Sequence, residues 1–161
     1  TNTLNLSDSV YDRATIGAVA VACHEAGHAL QHAYGYKAIT ARNSIVPAVN
    51  FASHSSWFLI IIGLFLGAQG AGNMWYIGDT IFNIGVFAFV IVLAFHLITL
   101  PVEFNASSRA LANIQELGLV DEDEYQGAKK VLRAAAMTYV AATAVAAANL
   151  IRVLAIRGRR N

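Results

Sequence analysis

Between Arg42 and Glu103 the chain carries one formally charged residue, Asp79. This near-absence of charge over such a length restricts the fold more than any other feature. Two apolar runs fill the interval, from about Phe51 to Gly70 and from about Ile81 to Leu100. Each is close to the ~20 residues that an α-helix needs to cross a ~30 Å hydrocarbon layer. The link between them, Gly70-Ala71-Gly72-Asn73 through Gly78-Asp79, is short and glycine-rich, and Trp75 and Tyr76 suit the water–lipid boundary. The pattern predicts a transmembrane helical hairpin. A buried hairpin of a soluble all-α protein is the competing reading. Composition favours the membrane: the chain is 57% hydrophobic and 13% charged, against about 25% charged in ordinary soluble domains.

A hairpin returns the chain to the side it left, so the segments before Phe51 and after Leu100 share one membrane face. Arg13, Lys37, Arg42, Arg109, Lys129, Lys130 and Arg133 flank the hairpin ends and none lies in its turn, which places that face in the cytoplasm. Gly63 and Gly67 have the spacing that permits close helix contact. A third stretch, about Ala134 to Ile156, is Ala-rich and holds Asn149 and Arg152. Crossing there puts Arg157, Arg159 and Arg160 outside, against the charge bias. A span from Ala134 to about Ile151 and a segment packed in the fold or at the interface both remain open. A short strand is conceivable near Ala38 to Val46. Net charge is +1, so nothing argues for nucleic acid, and Cys23 is the sole cysteine, which excludes an internal disulfide.

Ahead of the hairpin stands His24-Glu25-Ala26-Gly27-His28 in a helix-compatible stretch. Residues four apart share a helix face, so both imidazoles can reach one metal ion. Glu25 can then take a proton from a water whose pKa zinc lowers to about 7. The pattern is that of metal-assisted hydrolysis. Small apolar neighbours, Ile16 to Ala22 and Ala29-Leu30, suit a buried helix.

A catalytic zinc site needs a third protein ligand. His32 lies about 12 Å along the helix axis from His24 and cannot close the site. Six residues after His28 the chain has Tyr34, which excludes the extended three-histidine box. His54 and His96 sit in or near the apolar runs and are weaker candidates than Glu103. Glu103 follows Pro101, which predicts the first turn of a new helix or a kink. Its neighbours Val102 and Phe104 suggest a partly buried carboxylate in want of a cationic partner.

Two blocks carry a family resemblance. Ala22-Cys23-His24-Glu25-Ala26-Gly27-His28-Ala29-Leu30-Gln31-His32-Ala33 and Leu100-Pro101-Val102-Glu103-Phe104-Asn105-Ala106-Ser107-Ser108-Arg109-Ala110-Leu111 resemble the YugP-like bacterial membrane zinc metallopeptidases. Gly127 to Leu132 and Thr138 to Ala142 look similar too, so the resemblance runs from about Val10 to Leu154. The more distant HtpX-type membrane proteases share the first box and a later E-x-x-x-D motif. The resemblance implies that Glu103 is the third zinc ligand. Their Asp maps onto Ser107, so its supporting role is lost or taken over here. The family also carries a hydrophobic helix ahead of this region, which implies that the chain starts downstream of one.

The expectation is therefore an all-α integral membrane protein with a transmembrane hairpin and a zincin-like H-E-x-x-H helix, residues 1–161 forming a single metallopeptidase domain. His24, His28 and Glu103 bind one Zn2+, and Glu25 is the general base of peptide-bond hydrolysis on a protein or peptide substrate, membrane proteins included. The site faces the cytoplasm from a multi-pass position in a bacterial inner membrane. A catalytically silent zinc-binding scaffold and a membrane zinc transport protein are the alternatives. Asp121-Glu122-Asp123-Glu124 reads as a helix cap with Asp121 and Glu124 in a capping box, and Asn105, Arg109 and Tyr139 are available donors to an oxyanion.

Overall fold

The computed structural model describes residues 3–68 and 72–158. These form five helices: α1, Asp8–Tyr11; α2, Ile16–Ala33; α3, Lys37–Ala68; α4, Asn73–Glu116; and α5, Glu122–Gly158. The fold is all-α. Helices α3, α4 and α5 are each long and apolar enough to cross a membrane.

Three expectations change in detail. The segment Ala38 to Val46 is helical, not a strand: it opens α3, and Ile39 is fixed there by burial, which outweighs its β-branched preference. Helix α4 begins at Asn73, so Trp75, Tyr76, Gly78 and Asp79 lie in its first turns and not in a loop. Gly70 and Ala71 lie outside the described residues, as do Arg159 and Arg160. Pro101 neither starts nor ends a helix but sits inside α4. The third stretch is helical throughout, as part of α5.

Two compact units divide the chain. One comprises Thr1–Ala41 and Ile98–Ala141. Its core joins Ala20 and Cys23 of α2 to Ala110 and Ile114 of α4 and Ala128 and Leu132 of α5. The small side chains let these helix backbones approach closely. Helix ends in this unit follow capping chemistry. Thr15 Oγ1 accepts from Ala18 N at the start of α2. Gly35 and Gly118, at φ 63° and 58°, turn the chain out of α2 and α4. Asp121 and Glu124 form the expected reciprocal box: Glu124 N donates to Asp121 Oδ1 at 2.8 Å, and Asp121 N donates to Glu124 Oε2 at 3.3 Å.

The other unit comprises Arg42–Leu97 and Ala142–Asn161, with Ile60, Phe82, Phe89 and Val153 at its core. Gly63 makes the α3–α4 contact possible: a Cβ there would lie 2.5 Å from Phe82 N and 2.8 Å from Gly78 O. Gly78, in turn, sits against the backbone of Gly67. This unit exposes large apolar side chains, with Phe51, Phe58, Ile61, Phe65 and Phe87 all more than half exposed. Exposed aromatic and aliphatic side chains in such number are what lipid tolerates and water does not.

Candidate metal centre

Helix α2 carries His24, Gly27, His28 and Gln31 along one stripe, and α4 carries Val102, Glu103, Ala106, Ser107 and Ala110 along another. Both follow the spacing of a single helix face. The stripes meet at Gly27. A Cβ there would lie 2.6 Å from the carbonyl oxygen of Ala106 and 3.2 Å from its Cα, so only glycine lets the two backbones come this close. Ala106 is fully buried at the contact. The glycine inside the H-E-x-x-H box is therefore what brings Glu103 within reach of the histidines.

The Nε2 atoms of His24 and His28 lie 3.2 and 3.7 Å from Glu103 Oε2. The two rings are 4.7 Å apart in a T-shaped arrangement. One ligand atom from each of the three residues falls within 4.8 Å of the others. Glu103 is 2% exposed, so this carboxylate is far more buried than the partial burial anticipated.

Two further side chains orient the imidazoles. Gln31, fully buried, donates from Nε2 to the carbonyl of Val102 at 2.8 Å and to Asn105 Oδ1 at 3.0 Å. A carbonyl only accepts, so the carboxamide can be placed one way round. Its Oε1 must then accept from Nδ1 of His28, at 2.9 Å. Ser107 Oγ lies 3.2 Å from Nδ1 of His24, where the hydroxyl can accept a hydrogen bond from a protonated Nδ1. In the tautomer with both Nδ1 atoms protonated, which Gln31 fixes for His28 and Ser107 accommodates for His24, both Nε2 lone pairs face the Glu103 carboxylate. Three electron-rich atoms so arranged repel one another unless a proton or cation lies among them.

Zinc fits that donor set. Two ligands each about 2.0–2.1 Å from a tetrahedral ion stand about 3.3 Å apart, and the two observed separations bracket that value. The His28 imidazole is held above the usual histidine range, chiefly by its contact with Glu103, while burial opposes the shift. Glu25, partly exposed on α2, is near enough for its negative charge to favour the same protonated ring. Burial pushes the Cys23 thiol up, in keeping with an inert core residue.

Among the other candidates, His32 is exposed on α2. His54 is exposed on α3, with Nδ1 2.7 Å from Asn50 O, and His96 belongs to the other unit. Asn105 accepts from Arg109 Nε at 2.9 Å, and the Arg109 guanidinium lies over the Tyr34 ring at 5.4 Å. Gln31 and Gly27 were not singled out from the sequence. Gln31 sits three residues after His28, on the same helix face, and that spacing was the available signal.

A family model described as "Putative neutral zinc metallopeptidase" matches residues 1–158. The chain is also 45% identical over 153 residues to the "Putative membrane protease YugP" of Bacillus subtilis (strain 168). The aligned region covers 95% of this chain and 64% of that relative, so the chain spans a little under two thirds of the relative's length. No solved structure matches the chain.

Proposed function

This chain belongs to the family described as "Putative neutral zinc metallopeptidase", and from that premise we propose that it is a zinc-dependent peptidase of the membrane. The observation that carries the reading is the convergence of His24, His28 and Glu103, with the carboxylate supplied from 79 residues further along than His24. In this reading the three side chains hold one zinc ion. When bound, the ion supplies Lewis acidity, making water a stronger acid and polarising a carbonyl.

The rest of the chemistry belongs to the chain. Glu25 accepts a proton from the attacking water as its oxygen bonds to the scissile carbonyl carbon. Glu25 then delivers that proton to the amine nitrogen as the C–N bond breaks, leaving a carboxylic acid and an amine. Gln31 and Ser107 hold the two imidazoles so that Nε2 faces the shared point. The positive residues flanking the hairpin support a site on the cytoplasmic face of a bacterial inner membrane, with residues 1–161 acting as one peptidase domain. The relative's description as a membrane protease supports protein or peptide substrates, membrane proteins among them.

The test is Glu25→Gln beside His28→Ala, in the full chain reconstituted in lipid. Glu25→Gln is expected to keep one zinc per chain and to lose hydrolysis of a casein-like substrate by roughly 10²–10⁴-fold. His28→Ala is expected to lose both. Unchanged turnover in Glu25→Gln would remove the general-base assignment. Zinc retention without any hydrolysis in the unaltered protein would favour the silent scaffold.

A further inference from the structure

His96 and Asn149 interrupt apolar runs, and the peptidase reading uses neither. Polar side chains at membrane depth are costly and mark functional positions. Both line one cavity of about 320 Å³ in the unit formed by Arg42–Leu97 and Ala142–Asn161. Helix α3 contributes Ser56 and Trp57 to its wall, α4 contributes Phe89 and His96, and α5 contributes Ala146 and Asn149.

Ser56 is 2% exposed. A helical serine ordinarily donates to a carbonyl three or four residues back, as Ser53 does to Asn50 and Ser55 to Phe51. Among the described residues the Ser56 hydroxyl has no hydrogen-bond partner, and neither has the Asn149 carboxamide or the His96 ring, whose neighbour is the edge of Phe95. The Ser56 oxygen is not among the side-chain atoms sealed off without a partner, so it is reached from the cavity, and in a lipid surrounding a hydroxyl left without a partner costs about 1–3 kcal/mol. With the part-exposed His96 and Asn149, Ser56 makes three polar side chains without a protein partner lining one cavity, which points to a ligand that satisfies them together.

We propose that this cavity binds the neutral head of a membrane lipid, a hydroxyl- and ester-bearing glycerolipid such as diacylglycerol. The lining holds no Lys, Arg, Asp or Glu, so a phosphate head would be buried without a counter-ion. Ser56 and Asn149 offer both donors and acceptors, the complement of a hydroxyl beside an ester carbonyl. Trp57 and Phe89, packed edge to face at 5.2 Å, supply an apolar wall for the first acyl carbons. Size narrows the occupant further. At about 30 Å³ each, roughly ten water-sized atoms fill the space, enough for a glycerol head and its ester groups.

The test uses Trp57 as the reporter. The chain has two tryptophans, and Trp75→Phe leaves Trp57 alone. The full chain is reconstituted in phosphatidylcholine vesicles and titrated with brominated diacylglycerol, which quenches indole fluorescence on contact. Quenching by diacylglycerol is expected to saturate at low mole fraction, whereas brominated phosphatidylcholine and phosphatidylglycerol, whose chains reach the exposed part of the Trp57 ring, quench only in proportion to their amount. Ser56→Ala and Asn149→Leu are each expected to weaken the diacylglycerol response by roughly tenfold, the loss of one buried hydrogen bond. Ala146→Phe, which fills the cavity and leaves the polar groups in place, is expected to abolish saturation. Equal, unsaturating quenching by all three lipids would overturn the proposal and show a groove filled by ordinary acyl chains. Saturation that survives all three substitutions would place the lipid elsewhere and overturn it as well.

Discussion

Gln31 of α2 donates to the main-chain carbonyl of Val102 on α4, and through that bond the backbone next to Glu103 dictates which nitrogen of His28 carries its proton. The carboxamide cannot turn round without setting two acceptors against each other. Gln31→Leu is therefore expected to lower zinc affinity by roughly 10–100-fold, the range for partners that orient a metal-bound histidine. It should also cost about 1 kcal/mol of stability, because the Gln31 bond to the Val102 carbonyl is lost while that carbonyl keeps its helical donor. Chelator competition and thermal unfolding measure the two effects. Ser107→Ala acts on His24 through a longer, 3.2 Å contact and should lose less affinity than Gln31→Leu.

Gly27 has no room for a methyl group. The obstacle is the backbone of Ala106, which cannot swing aside as a side-chain tip would. Gly27→Ala is expected to push α2 from α4, at a cost of about 1–3 kcal/mol, and to weaken zinc binding with His24, His28 and Glu103 all intact. Gly17→Ala is the control, since a Cβ at Gly17 meets nothing within 4 Å. It should leave zinc affinity unchanged. Equal affinity in both variants would show that the helix contact does not assemble the site.

Acid should release the metal, and over a range shifted upward. Metal binding requires a neutral imidazole, while Glu103 favours the protonated form of His28 in the metal-free protein. Protons therefore compete with zinc to a pH above the ordinary histidine value of about 6.5. Zinc affinity is expected to keep climbing with pH past that point and to level off only when His28 has lost its proton. Zinc titrations between about pH 5.5 and 8.5 check this, and levelling at or below the ordinary value would contradict it. His32→Ala should leave the profile unchanged.

Asp121 stabilises the start of α5 by a route separate from the metal. Its carboxylate accepts from Glu124 N at 2.8 Å. Asp121→Ala is expected to cost about 1 kcal/mol, seen as a lower melting temperature with zinc affinity unaltered. Asp121→Asn, which keeps an accepting oxygen, should recover most of that loss.

How far the sequence announced this arrangement varies from residue to residue. His24 and His28 were legible because one helical turn dictates their shared direction whatever surrounds them. The apolar runs were legible because bilayer thickness sets a length. Glu103 was legible as a ligand candidate, and of the two readings Pro101 offered, a helix start or a kink, the first gives way because α4 continues through it. Local preference is a weak guide where packing on both sides of a proline holds the helix together. The roles of Gly27 and Gln31 were hidden, because each depends on what α4 presents opposite, and no local pattern encodes the facing helix. Ser107 was noted only as a departure from a related motif. Its position beside His24 gives that departure a physical sense.

The proposed ligands His24 and Glu103 stand 79 positions apart in the chain, and only the packing of α2 on α4 holds them together. Extraction from the bilayer that loosens α2 from α4 would therefore free the ion long before the helices themselves melt. Metal content per chain then becomes a gauge of how gently a detergent has treated this protein, usable before any substrate is in hand.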